Sequence, residues 1–123
     1  KYEWLTEGTP AHWLFAAAPH DPYGLARLVG GSNVLIRRLD NFFGIREHEN
    51  GILIDDNVSQ HWHGNEPGHH TPFLYVYLGQ PWKSQALVRH IASAEYHTGP
   101  GGISGNDDAG QMSAWLVWVT LGL

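Results

Sequence analysis

Apolar residues recur at helical spacing in this chain only in short blocks, most of them stopped by glycine, with two long aperiodic stretches between. Such a chain folds as short helices whose connections carry much of its length. Asp21-Pro22 opens the first block, since Asp caps a helix and Pro is tolerated in its first turn; the stripe of Tyr23, Leu25, Leu28 and Val29 ends at Gly30-Gly31. Ser32 or Asn33 caps the second, with Leu35, Ile36, Leu39, Phe42 and Phe43 on one face and Gly44 as its stop. Thr71-Pro72 opens a short helix over Phe73 to Leu78. Pro81 opens the next, with Leu87, Val88, Ile91 and Ala94 inward and an end near Tyr96. A last helix runs from about Gln111 through Trp115, Leu116 and Val119. The stretches Ile45 to His70 and Thr98 to Gly110 read as loops, and Ile52-Leu53-Ile54 is too short to count as a strand. Loops of this length inside a compact domain are usually functional or disordered. The expectation is an all-α unit of five or six antiparallel helices, with function on the connections.

Several classes fall away on composition. The net charge is -5 with only seven Lys and Arg, so the basic footprint of a nucleic-acid binder is missing. There is no Cys, which excludes disulfides and thiolate metal sites. The longest apolar stretches, such as Trp13 to Ala18 and Ala114 to Val119, fall far short of the roughly 20 residues of a membrane span, and no membrane partner is expected. Charged residues make up only 15% while there are six Trp and five Tyr. That balance suits a protein that buries much of its surface or stacks sugar rings on aromatic faces. The ends, Lys1-Tyr2-Glu3-Trp4 and Leu121-Gly122-Leu123, do not read as natural termini, so the expectation is a piece of a longer protein.

Three polar clusters stand at helix boundaries: Thr6 to Pro10, His63 to His70, and Gly105 to Gln111. Each sets carboxylates beside Gly or Pro. Two carboxylates on facing loops suit glycoside hydrolysis, in which one acid protonates the leaving oxygen and the other activates water or attacks. Plainer readings compete. Asp107-Asp108 ahead of Gln111-Met112-Ser113 fits a helix cap, which on these residues alone outweighs catalysis. Glu7 fits a solvated first-turn acid. The nine His fit polar lining better than zinc, because Ile52 stands where the His48-Glu49 start of an HExxH motif needs its second His. Asn65, Glu66 and Gln60 offer oxygens that suit a hard cation such as calcium, with loop packing and capping as the default.

Taken together, His63-Gly-Asn-Glu-Pro-Gly-His-His70, Leu74-Tyr-Val-Tyr-Leu-Gly-Gln-Pro-Trp-Lys-Ser-Gln85 and Gly105-Asn-Asp-Asp-Ala-Gly-Gln-Met-Ser-Ala-Trp115 are similar in order and spacing to the core of glycoside hydrolase family 92. Trp4-Leu-Thr-Glu-Gly8 resembles that family's aromatic-x-x-Glu-Gly motif, and Pro19-His-Asp21, Gly24-Leu25, Gly30-Gly31 and Leu39-Asp40 fall in register. The resemblance covers nearly the whole chain. It implies an inverting, calcium-dependent exo-α-mannosidase, in which a β-sandwich domain is paired with an (α/α)6 barrel. Residues 1–123 would then be a partial (α/α)6 barrel lacking the β-sandwich domain and the other barrel helices. The resemblance makes Glu7 the general acid and Asp108 the general base, with Asp107 or Asn106 orienting the water. It makes Asn65 and Glu66, with Gln60 as companion, the calcium ligands, and His20, Asp21, Trp82, Lys83 and Gln85 the residues that shape or support the sugar pocket. A mannose-containing glycan is the implied substrate, and an extracellular or periplasmic location the implied setting. Asn106 stands where many members carry an acid, and Leu116 where many carry Tyr. The rival reading is a catalytically silent fragment that keeps only weak sugar or calcium binding.

Overall fold

The computed structural model describes residues 10–123. Among them are α1 (Pro10–Ala16), α2 (Pro22–Leu28), α3 (Ser32–Phe43), α4 (Leu74–Tyr77), α5 (Pro81–Ala94) and α6 (Gln111–Leu121). The 3-10 turns Glu66–Gly68 and Thr71–Phe73 lead into α4. A hairpin of β1 (Ile45–His48) and β2 (Gly51–Ile54) follows α3.

The helices form near the expected signals, but Gly31, and neither Ser32 nor Asn33, stands at the N-cap of α3, with no side-chain cap bond. Asp21 accepts the Gly24 N–H at 2.7 Å, and Pro22 fills the first turn of α2. Gly44 ends α3 in the left-handed region at φ 65°. A side chain at Gly44 would also collide with the carbonyl of Asp55, so glycine is required twice over. Between these ends, α3 buries Leu35, Ile36, Leu39, Phe42 and Phe43, the i, i+1, i+4, i+7, i+8 face of one helix. That face meets Phe15, Leu25, Leu74, Tyr75, Leu87, Ile91 and Trp115 in a single core.

Two elements depart from the sequence reading. The first is α1, where Pro10 occupies the first turn and His12 and Phe15 point inward, three residues apart. Phe15 meets Phe42 edge-on at 5.0 Å between ring centroids. The run Trp13 to Ala18 hides the period because apolar residues fall on both faces, while a histidine sits on the buried one. The second is the hairpin, which corrects the all-α expectation: the architecture is helical with one two-stranded sheet. Its register pairs Ile45 with Ile54 and His48 with Gly51 across a Glu49-Asn50 turn. Ile52 and Ile54 are half-buried while Leu53 is exposed, an alternation too brief to read as a strand. Two strands alone are marginal in water. These persist because β1 packs on α3 and β2 on α5.

An ion-pair network fastens the hairpin to the helices. The Lys83 ammonium on α5, with 0% of its side chain exposed, lies 2.9 Å and 3.0 Å from the Asp40 carboxylate and 3.0 Å from Glu47 Oε1 on β1. Tyr75 donates to Asp40 Oδ1 at 2.9 Å. Burial works against the Lys83 charge, but the hydrogen bonds to Asp40 and Glu47 outweigh it and raise its pKa.

The far side is less complete. Helix α6 is apolar nearly all round: Met112 and Trp115 are buried, yet Val117, Trp118 and Leu121 are exposed. An open groove of about 700 Å³ runs between α5 and α6, lined by Phe73, Val76, Val88, Leu116 and Val119 among others. No helix among the described residues is long and apolar enough to cross a membrane.

Candidate active site

The second and third polar clusters meet in space. The Gly64 and Gly105 backbones touch: a Cβ on Gly105, at φ +79°, would stand 2.6 Å from the Gly64 carbonyl oxygen. Only glycine allows that approach. It brings the segment carrying Asn65 and Glu66 against the segment carrying Asn106, Asp107 and Asp108.

Beneath the contact lies a packed layer of rings. His63 stacks on His69 with centroids 4.6 Å apart and meets Trp115 edge-on at 4.3 Å. His61 stacks on His12 at 6.2 Å and packs on Phe43 at 4.9 Å. Tyr96 lies nearly parallel to Trp115 at 6.0 Å. His12, His63 and His69 are all buried. Burial, then neighbouring histidines, pushes His61 and His63 down to about 3 and lowers His12 as well. Burial also lowers His69, against the pull of its bond to the His63 backbone. These rings are neutral and serve as polar packing. Among the described residues, no three His, Asp or Glu side chains converge in a way that could hold a metal ion. In sequence the nine His are scattered, so this layer was not legible there.

Asn65 is buried, and its Nδ2 lies 3.5 Å from His12 Nε2, the far limit of a hydrogen bond. That contact leaves Oδ1 for another partner. Glu66 follows as the half-buried first residue of a 3-10 turn that packs on α1. Gln60 stands exposed at the head of the same segment, its backbone N–H bonded to the Phe42 carbonyl at 2.8 Å.

Asp107 and Asp108 divide their work. Asp107 accepts the Ser113 N–H at 2.8 Å through Oδ1 and the Ser113 hydroxyl at 2.9 Å through Oδ2, so it caps the first turn of α6. With both oxygens so engaged, the capping reading holds for Asp107. Asp108 sits in a left-handed run, with φ of 42° there, 60° at Ala109 and 90° at Gly110. Non-glycine residues in this region cost on the order of 1–3 kcal/mol each and cluster at functional sites. The Asp108 side chain is exposed, and among the described residues no hydrogen bond or ion pair engages its carboxylate. The N–H groups of Gly110, Gln111 and Met112 do not support that carboxylate; they bond to the carbonyls of Asp107 and Asp108. Acid crowds this corner: burial, followed by Glu95, Asp107 and Glu66, raises the Tyr96 pKa.

Of the remaining candidates, Glu7 falls outside the described residues. His20 is exposed, and Asp21 caps α2 with Arg27 at 3.9 Å. Trp82 is exposed on the first turn of α5. Lys83 is buried, with its ammonium held between Asp40 and Glu47. Gln85 lines the α5–α6 groove beside the C-terminal half of α6, while Asp108 lies before that helix's N-terminus. The sequence reading assigned no site role to Asp40, Glu47, Tyr75 or Tyr96, although Asp40 and Tyr75 stand within the family signals and Tyr96 at the end of the helix that Pro81 opens.

Comparison with known proteins identifies the family. The family description for the glycosyl hydrolase family 92 catalytic domain matches residues 1–123. A protein of Arthroderma benhamiae, an uncharacterized secreted glycosidase, is 32% identical over 105 residues, covering 85% of this chain and 12% of that protein. Among solved structures, the chain is similar to a family GH92 α-mannosidase of Bacteroides thetaiotaomicron, with a TM-score of 0.70 and 37% identity, over 86% of this chain and 14% of that one. It is also similar to a family GH92 inverting mannosidase from the same organism, with a TM-score of 0.72 and 38% identity, over 92% of this chain and 17% of that one. The chain spans less than a fifth of the length of each of these relatives. With the family description matching every residue and both solved relatives sharing the fold, the chain belongs to glycosyl hydrolase family 92.

Proposed function

We propose that this chain contributes the general base and part of a calcium site to an inverting exo-α-mannosidase acting on terminal α-linked mannose of glycans. In this reading it is part of an (α/α)6 barrel within a longer secreted enzyme that also carries a β-sandwich domain. The observation that carries it is the glycine-to-glycine contact that brings the segment bearing Asn65 and Glu66 against the segment bearing the exposed Asp108. The bare apolar faces of α5 and α6 support it too, because a helix apolar on all sides belongs inside a larger body.

Asp108 is the base. Its carboxylate is exposed and uncommitted among the described residues, so it can take a proton from a water on the face of the sugar opposite the leaving group. Asp107 does not touch that water; it anchors the turn that presents Asp108. Glu7 is the acid, delivering a proton to the glycosidic oxygen. Inversion requires the two carboxyls to stand roughly 6.5–9.5 Å apart, leaving room for the water.

Asn65 and Glu66 fit a hard cation in kind, offering an amide and a carboxylate oxygen at the start of one turn. They do not complete it in number, since calcium takes six to eight oxygens. Gln60, backbone carbonyls, water and sugar hydroxyls would supply the rest. Calcium held there would orient the hydroxyls of the terminal mannose and favour a distorted ring. Trp82 offers an exposed aromatic face to a sugar, and His20 and Asp21 an exposed polar edge.

The test is hydrolysis of an aryl α-mannoside by the full-length enzyme, before and after chelation. Loss on chelation, with recovery by calcium and not by zinc, supports the reading. A full-length enzyme without activity in either state would favour a silent, binding-only relative.

A further inference from the structure

An unbroken run of hydrogen bonds leaves α6, crosses the segment 63–69 and returns to α6, and its direction is forced. Tyr96 Oη lies 3.0 Å from the Met112 carbonyl, which has no proton to give, so the hydroxyl proton goes there. His63 Nε2, 2.8 Å from the same hydroxyl, must then be the donor. His69 Nε2, 3.0 Å from the His63 carbonyl, must donate as well. A neutral ring has one proton, so His69 Nδ1 accepts, and Gln111 turns its amide nitrogen toward it at 3.3 Å. The run therefore reads Gln111 to His69 to His63 to Tyr96 to Met112. It begins and ends on adjacent residues in the first turn of α6. Trp115 braces it by donating from Nε1 to the His69 carbonyl at 3.2 Å.

We infer that Tyr96 is a positioning residue: its hydroxyl couples the segment bearing Asn65 and Glu66 to the helix start that follows Asp107 and Asp108. The inference rests on the roles proposed above for those residues. Tyr96 comes from neither loop. It stands just past the end of α5 and pairs with Ile103 in an isolated bridge, so the spacing of the two loops is referred to the scaffold. Glycine contact at Gly64 and Gly105 sets how close the loops come, whereas the Tyr96 hydroxyl sets their angle and depth. Removing it frees the Met112 carbonyl and the His63 N–H together, so the turn presenting Asp108 can shift against Glu66. Small displacements of a reacting group cost rate much more than they cost binding.

Tyr96→Phe in the full-length enzyme separates this role from packing, because the ring that lies along Trp115 is kept. The expected result is a kcat, per folded molecule, reduced on the order of tenfold on both a mannobioside and an activated aryl mannoside, with KM within about threefold of wild type. Leu39→Ala is the control: it opens the core at α3 without removing any hydrogen bond of the run, lowering stability while leaving kcat per folded molecule unchanged. The inference is overturned if Tyr96→Phe keeps kcat within about threefold of wild type, if its loss only tracks the folded fraction, or if the change is confined to KM. Wild-type enzyme inactive on both substrates would sink the mannosidase reading instead, a result distinct from an active wild type with an unaffected variant.

Discussion

Asp107 and Asp108 are neighbours of one chemical type, and the fold gives them opposite tasks. Asp107 spends both oxygens on Ser113; Asp108 spends neither among the described residues. The difference comes from the left-handed turn, which swings consecutive side chains to different sides. The proposed division of labour, with Asp108 as base and Glu7 as acid, can be measured. In the full-length enzyme, Asp108→Asn is expected to lower kcat about 10²–10⁴-fold on every substrate, since water must be activated whatever leaves. Glu7→Gln is expected to hurt an unactivated disaccharide most and a dinitrophenyl mannoside least, because a good leaving group departs without a proton. A leaving-group-dependent loss for Asp108→Asn, with uniform losses for Glu7→Gln, would reverse the assignment.

At the scale of elements, the β1–β2 hairpin depends on partners far away in sequence. Lys83 reaches it from α5, and Asp40 joins the same ammonium from α3. The two carboxylates differ in worth. Asp40 has 19% of its side chain exposed and accepts from Tyr75 as well, whereas Glu47 is 71% exposed. Lys83→Ala leaves Asp40 mostly buried without its counter-charge, and is expected to destabilise the enzyme by about 3–5 kcal/mol. Glu47→Gln removes only an open, solvent-screened partner, and is expected to cost less than about 1 kcal/mol. Urea midpoints of the two full-length variants decide it; equal shifts would mean that the pair with Asp40 is not what fastens this corner.

For the whole molecule, the neutral histidine layer ties stability to pH. His61 and His63 have folded pKa values of about 3, below the ordinary 6.5 that they regain on unfolding. Between those values the unfolded chain binds more protons than the folded one, so stability rises with pH. The contribution is complete above about 6.5 and is lost as pH falls toward 3. Lowering the pH from 6.5 to 5, above the usual carboxylate range, is therefore expected to reduce the urea midpoint of the full-length enzyme. A midpoint that stays flat over that interval would show that these rings are solvated and free to charge.

Local signals settled much of this protein before any tertiary contact formed. Asp21-Pro22 and Gly44 punctuate helices through their own backbone preferences, and the Leu35 to Phe43 stripe needs only a 3.6-residue period to declare its buried face. The three motifs that carry the family resemblance are likewise continuous in sequence, so membership was legible there. Other features were not local. The hairpin, four residues a side, is held by α3 and α5 and cannot announce itself by periodicity. The choice between cap and base at Asp107-Asp108 turns on a backbone φ and on where Ser113 sits. Lys83 is an ordinary lysine in sequence, and only the closing of α5 on α3 and β1 makes it an interior charge. His12, His61, His63 and His69 lie up to 57 positions apart and become one layer only when α1 and α6 close on the segment between them. Propensity and period act within a few residues, so they mark where elements start and stop. Which side chains share a buried space depends on contacts across the chain, and those the folded structure alone determines.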